Sequence, residues 1–314
     1  MRLLRSLSAG NPPRSDHAAA GYVAAIGGFD GIHLGHRALI ERVQAQARAR
    51  GLASMVLSFE PLPKEFFAPE NPPARLTSFR ERWCLLQEAG LDVFCALHFN
   101  DSLRRLSAEG FARMLVNGGV RGVVIGHDFR AGHNGEATAE WFLREGPGLG
   151  LSVDIVPQVL LEGVRVGSGV IRAALAAGDL ALANRLLGRG YSMRGRVVRG
   201  EQLGRKLGFP TANLRLARRR TPVNGIFAVR VRGIGIAGAD APAVASLGTR
   251  PTVGGREPLL EVHVFDFAGD LYGREMEVEF VARLRDELRF DSVDEMVEQI
   301  RADAAAARRI LAAE

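Results

Sequence analysis

Cysteine is scarce: the 314 residues include two, Cys84 and Cys95. That count excludes a disulfide framework and a cysteine-based zinc site. Aromatic residues make up 7% of the chain, with two tryptophans and three tyrosines. No apolar run is long enough to span a bilayer, and residues 1–20 hold no continuous apolar core like that of a signal peptide. A cytoplasmic protein without a membrane partner is therefore expected. Internal repeats and long low-complexity segments are missing too; the alanines at 304–307 merely favour helix. A strong excess of one charge is also lacking. The net charge is +6, and the basic residues are spread along the chain, many beside Asp or Glu. With so few aromatics, this balance suits attraction of small anions, and no nucleic-acid partner is expected. The oligomeric state is not readable.

What the chain does have is length for two domains and an ordinary hydrophobic fraction of 47%. Its first half is organised around Ile26-Gly27-Gly28-Phe29-Asp30-Gly31-Ile32-His33-Leu34-Gly35-His36. The apolar stretch 22–26 before it suits a buried strand. After it, Leu39, Ile40, Val43 and Ala47 recur at helical spacing, with Arg37, Glu41 and Arg48 on the other side. Strand, glycine-rich turn and helix make an anion site, because the free N–H groups of the helix start face the ligand. His33 and His36, three apart, can both address one phosphate and stabilise charge on a departing pyrophosphate. The plain alternative is a glycine-rich turn with two surface histidines.

The pattern continues as α/β. Strands are predicted at 54–59, 93–97, 122–125 and 153–156, and helices at 80–89 and 108–116. The prolines at 61 and 63 are expected to stop regular structure. Alternating strands and helices imply a parallel sheet with ligands at the carboxyl ends of its strands. Residues 26–36, 58–61 and 126–132 all follow strands and could share one such edge.

The run GGFDGIHLGH resembles the H-x-G-H motif of the nucleotidyltransferase superfamily. In this form it is similar to the amino-terminal module of the bacterial bifunctional riboflavin kinase/FMN adenylyltransferase family. The resemblance implies a Rossmann-like nucleotidyltransferase domain. Within it, His33 and His36 serve adenylyl transfer, and Gly27, Phe29, Asp30 and Gly31 bind nucleotide. Residues 126–132, Gly-His-Asp-Phe-Arg-Ala-Gly, resemble the family loop G-x-[D/N]-F-x-F-G, with Ala131 where the family has Phe. Asp128 is then a nucleotide contact; by spacing alone it is equally a turn or cap residue. Residues 165–172 align with I-S-S-T-x-x-R and keep Arg165, Ser168 and Arg172 for the triphosphate. Gly167 and Gly169 replace two hydroxyl residues of that motif, and Gly28 replaces an Asn.

An alanine- and leucine-rich helix is predicted over 173–187, and a domain boundary near 186. Strands are predicted at 192–198, 225–232, 243–247, 259–265 and 275–280, then a helix over 293–311. Val262, Val264, Val278 and Phe280 show the alternation of half-buried sheet. Antiparallel strands followed by a helix fit a small closed barrel. The chain is thus α/β plus mainly β: residues 1–186 as the adenylyltransferase domain, residues 187–314 as a kinase domain.

Residues 200–214, ending Gly208-Phe209-Pro210-Thr211-Ala212-Asn213-Leu214, are similar to the riboflavin kinase motif that closes in G-F-P-T-A-N. Thr211 and Asn213 offer two neutral oxygens on one side of an extended segment, which suits Mg²⁺ already balanced by ATP phosphates. Gly204, Arg205 and Gly208 belong to the nucleotide flap. Residues 246–252 and 260–267 match further family motifs, with Ser246 for an Asn. By resemblance Glu261 is the base for the ribityl hydroxyl; read alone, it could be an exposed strand carboxylate paired with Arg. Arg285, in a third matching segment, is expected near the flavin or the phosphate side and is taken as a flavin contact. The implied activities convert riboflavin to FMN and FMN to FAD, each with ATP and Mg²⁺. Two other readings stay open: a kinase with a weak or inactive first domain, and a first domain that only binds nucleic acid or protein.

Overall fold

The computed structural model describes residues 1–7, 21–200, 204, 207–234, 240–252 and 255–313. By contacts the chain divides into two units, one of Met1–Pro73 with Arg82–Gly167 and one of Ala74–Glu81 with Ser168–Glu314.

The first unit is α/β. Its strands in chain order are β1 (Arg2–Leu4), β2 (Tyr22–Ile26), β3 (Ala53–Glu60), β4 (Val93–His98) and β5 (Val120–Gly126). A small antiparallel ribbon follows, β6 (Arg130–Ala131) with β7 (Ala137–Thr138). Next come β8 (Ser152–Val156) and a second ribbon, β9 (Leu160–Leu161) with β10 (Val164–Arg165). The main sheet runs β1-β4-β3-β2-β5-β8, every pair parallel. All five residues of β2 are buried, as expected for a strand covered on both faces. Strand order reverses at β2, with β3 and β4 to one side and β5 and β8 to the other. The crevice beyond the carboxyl ends of β2 and β5 is therefore the switch point at which such sheets bind ligands.

Helix Leu34–Arg50 packs Ile40, Val43 and Ala47 inward and ends at Gly51 in the left-handed conformation, φ 62°. The expectation of irregular chain after residue 60 is corrected. Pro63 opens a short helix, Pro63–Phe67, because a first-turn proline forfeits no intrahelical hydrogen bond. Strand β1 has no counterpart in the sequence reading; three residues at a sheet edge carry too little pattern.

In the second unit the helix expected over 173–187 is two helices, Ser168–Ala176 and Leu180–Leu187. Gly178 turns left-handed between them at φ 80°, and the Asp179 side chain caps the second by accepting from the Leu182 N–H at 2.9 Å. Then come β11 (Ser192–Val198), β12 (Ala212–Arg215), β13 (Gly225–Arg232), β14 (Ala241–Thr252), β15 (Gly255–Val264) and β16 (Glu275–Arg285). They close as a six-stranded antiparallel barrel, β11-β12-β15-β14-β13-β16. Closure leaves no open sheet edge. The sequence marks β12 only as an extended segment around Thr211 and Asn213, and β14 to β16 run longer than expected. Met276, Val278 and Phe280 point inward and are fully buried, while Glu275, Glu277 and Glu279 alternate outward. Ala307 and Leu311 of the carboxy-terminal helix, Val293–Ala312, pack on Ile226, Ala228 and Val244 outside the barrel.

Segment Ala74–Glu81 is held in this second unit by a buried ion pair. The Arg218 guanidinium donates to both Glu81 carboxylate oxygens, and the side chains are 0% and 5% exposed. Glu81 also accepts from the Arg194 backbone N–H at 2.6 Å.

Candidate active sites

The glycine-rich loop leaves the carboxyl end of β2 and runs into helix Leu34–Arg50. His33 caps that helix: its Nδ1 accepts from the His36 backbone N–H at 3.2 Å. An accepting Nδ1 carries no proton, so the ring proton sits on Nε2. The two imidazoles stack, centroids 3.7 Å apart and planes at 14°, and Phe29 lies against His36 at 4.7 Å. Both histidines are thus fixed on one side of the loop. Gly35 permits this, since a Cβ there would stand 3.2 Å from the His33 ring. Phe29 and Ile32 have positive φ, 49° and 42°, rare for non-glycine residues. Both side chains are buried, which holds them there. Asp30 is also buried, while Gly27 donates to the Leu57 carbonyl at 3.1 Å and Gly31 turns at φ 94°.

Arg82 is a support that the sequence did not reveal. Fully buried, it donates to the Gly28 carbonyl at 3.2 Å and the Ser58 hydroxyl at 3.1 Å, and pairs with Glu60. Ser58 donates to the same Gly28 carbonyl at 3.0 Å. A second missed feature is a cavity of about 360 Å³ lined by Phe59, Phe67, Phe99, Phe111, Arg130 and Ala131, among others. Phe66, Phe67 and Phe99 meet edge to face, with centroids 5.2–5.8 Å apart. Phe59 ends a predicted strand and Phe99 lies two residues past another, but nothing local joins them.

Asp128 follows β5 and forms an exposed ion pair with Arg165 of β10, so two expected nucleotide contacts bind one another. Ser168 opens its helix, and Arg172 on that helix donates to the Ala74 carbonyl at 2.7 Å. Neither Gly167 nor Gly169 has positive φ, and a Cβ on either meets nothing within 4 Å. Cys95 is no nucleophile, because burial pushes its thiol up to about 12.

On the barrel, one row of paired residues runs across five strands. Asn213 of β12 faces Glu261 of β15; Glu261 faces Ser246 of β14; Ser246 faces Ile226 of β13; Ile226 faces Arg285 of β16. Paired residues share a face, and all five line one cavity of about 290 Å³. Met296, Ile300 and Asp303 of the carboxy-terminal helix line it too. A neighbouring cavity of about 710 Å³ is walled by Val262, Phe267, Leu271 and Tyr272, and Thr211 lines both. Gly204 also lines the first, and Gly208 turns beside it at φ 87°. Arg205 lies outside the described residues.

Among the described residues the Asn213 Oδ1 is buried without a hydrogen-bond partner. A buried acceptor left so costs about 1–3 kcal/mol; a cation would satisfy it. Gly200 lets the backbone close over that amide, since a Cβ there would lie 2.6 Å from Oδ1. Among the described residues no cluster of three or more His, Cys, Asp or Glu could hold a metal ion. Thr211 and Asn213 offer neutral oxygens, the donor type that suits a divalent cation whose charge is already balanced by phosphates.

Comparison with known proteins matches two enzyme families in tandem. The family model described as FAD synthetase matches residues 15–170, and that described as riboflavin kinase matches residues 187–311. The chain is thus an enzyme with two catalytic modules. A bifunctional riboflavin kinase/FMN adenylyltransferase from Pseudomonas fluorescens is 44% identical over 99% of this chain and 98% of its own. One of the same name from Escherichia coli K12 is 44% identical over 92% of each. A crystal structure described as a macrolide-efflux protein from Streptococcus pneumoniae superposes with a TM-score of 0.78 at 30% identity. It covers 98% of this chain and 99% of that one. Among the described residues no helix is long and apolar enough to cross a membrane. The chain belongs to the bifunctional riboflavin kinase/FMN adenylyltransferase family.

Proposed function

We propose that the barrel-bearing module, residues 187–314, phosphorylates riboflavin with ATP and that residues 1–186 join the resulting FMN to AMP. The observation that carries the first half is the row from Asn213 to Arg285 along one cavity, with Thr211 shared by the next. Flavin occupies the cavity of Glu261, and ATP the one walled by Phe267 and Tyr272. Glu261 takes the proton from the terminal ribityl hydroxyl as that oxygen bonds to the γ-phosphorus and ADP leaves. Held by Thr211, Asn213 and the ATP phosphates, Mg²⁺ would offset the phosphate charge. Gly204, Arg205 and Gly208 are assigned to nucleotide binding, and Arg285 to the flavin side.

In the first module an FMN phosphate oxygen attacks the α-phosphorus of ATP, and pyrophosphate departs. The nucleophile is already anionic, so no side-chain base is needed. His33 and His36, on a preformed helix start, stabilise the charge on the leaving group. Gly27, Phe29, Asp30, Gly31, Asp128, Arg165, Ser168 and Arg172 contribute to nucleotide binding. The phenylalanine cavity suits the flat flavin ring. Both reactions consume ATP, which suits a cytoplasmic enzyme. The glycines at 167 and 169 favour a second reading, in which adenylyl transfer is weak.

Supplying riboflavin, ATP and Mg²⁺ to the purified protein tests this. FMN followed by FAD is the expected outcome; FMN alone selects the second reading, and no FMN rejects the assignment of the barrel.

A further inference from the structure

Arg285 ends the row of residues that begins with Asn213 and Glu261, and its environment is unusual for a ligand-binding arginine. Asp303, from the carboxy-terminal helix, holds it side-on: Nε donates to both carboxylate oxygens at 3.0 and 3.1 Å, and Nη2 to one at 2.6 Å. Nη1 donates to the Asp286 carbonyl at 2.7 Å. The Gln299 amide donates to Asp303 at 3.0 Å, bracing the carboxylate on its own helix. The side chains of Arg285 and Asp303 are only 19% and 8% exposed, and both residues line the cavity of Glu261.

A guanidinium has five N–H donors. Nε, one N–H of Nη2 and one of Nη1 are engaged. Among the described residues two donors remain, one on each terminal nitrogen. Asp303 also cancels the guanidinium charge where water is largely excluded. A neutralised arginine with two spare donors is suited to a neutral ligand with carbonyl or ring-nitrogen acceptors, rather than to a phosphate. Met296, Ile300 and Phe290 give this wall an apolar face, and Glu287 adds a second carboxylate to it. A neutral, flat heterocycle with one polar edge matches both properties.

We infer that Asp303 is a positioning residue of the kinase: it aims Arg285 at the polar edge of the riboflavin ring, so that the carboxy-terminal helix forms part of substrate recognition. The inference rests on the assignment of this cavity to riboflavin. The contact lies at the far end of the row from Glu261 and supports ground state and transition state alike. Its loss therefore raises KM and spares kcat.

The experiment uses the full chain with Asp303→Asn, Arg285→Lys and the double variant. Riboflavin phosphorylation and FAD formation from supplied FMN are measured separately. Hydrogen bonds to charged groups support an expected rise in riboflavin KM of about ten- to a hundredfold for Asp303→Asn. The expected kcat, ATP KM and FAD formation stay near wild type. Arg285→Lys keeps a charge for Asp303 but loses the fork, so it gives the same selective rise in a folded protein. The double variant is expected to be little worse than either single one, because the two act as a unit. An unchanged riboflavin KM in Arg285→Lys, a loss confined to kcat, or additive effects in the double variant overturns the inference. Glu261→Gln serves as the control: if it leaves FMN formation intact, the assignment of the cavity itself has failed.

Discussion

Asn213 and Glu261 stand directly opposite one another on β12 and β15, so a buried amide oxygen and a carboxylate share one wall of one cavity. Cross-strand partners point to the same face whatever their sequence separation. The barrel thus brings a buried amide oxygen and a candidate base together through register alone.

Glu261→Gln keeps the shape of the side chain and removes the base. General-base assistance is worth about 10²–10⁴-fold, so FMN formation is expected to fall by that order. FAD formation from supplied FMN should persist. Both rates come from product chromatography of one preparation, and near-normal FMN production would rule Glu261 out as base.

His33 caps its helix, and the proposed adenylyl transfer gives it a second, separable task. Asn is a good cap but has no imidazole, so His33→Asn should keep thermal stability while adenylyl transfer falls about 10²–10³-fold. His33→Ala should lose the same activity and about 1 kcal/mol of stability as well. Equal stability of the two variants would show that the cap contributes nothing.

Phe67 lines the phenylalanine cavity and is 63% exposed. Stacking of a flat heterocycle on an aromatic side chain contributes about 1–3 kcal/mol. Phe67→Ala should therefore raise the KM for FMN in adenylyl transfer by about tenfold and leave riboflavin phosphorylation alone. An unchanged KM would place the flavin ring elsewhere.

Gly167→Ser with Gly169→Thr restores hydroxyls at positions that accept a side chain, since both have negative φ and open space. A hydrogen bond to a charged phosphate contributes about 1.5–3 kcal/mol. If realised in the transition state, that is about tenfold or more in kcat/KM for FAD synthesis. The kinase should be unchanged. Equal or lower kcat/KM in a well-folded double variant would mean that the glycine loop already binds phosphate through its backbone amides.

Glu81→Ala leaves Arg218 buried without its carboxylate. Removing one partner of a buried pair costs about 3–5 kcal/mol, so the urea midpoint for loss of kinase activity should fall clearly. A fragment of residues 187–314 lacks segment Ala74–Glu81 altogether. Its Arg218 can reach water instead, and it is expected to fold and make FMN at lower stability than the full chain. Midpoints unchanged in both would make the pair dispensable.

The sequence by itself determined the elements whose signals are local. The strand at 22–26, the glycine loop, the helix after it and most barrel strands follow from apolar period and backbone-angle demands within windows of about ten residues. His33, His36, Thr211, Asn213 and Glu261 stood out as candidates because each sits in a short motif of fixed spacing. The break at Gly178 was written locally too, as a glycine followed by a capping Asp, but the apolar run across it masked the signal.

Only the tertiary structure decided which distant residues meet. Asp303 lies 18 positions beyond Arg285 and 90 beyond Asn213, yet lines the same cavity. Segment Ala74–Glu81 groups with a barrel that begins at Ser192, and Phe59, Phe99 and Ala131 reach one cavity from three parts of the chain. Strand order, barrel closure and cross-strand register set these meetings. They minimise exposed apolar surface and unpaired backbone over the whole chain, and no short window of sequence carries that information.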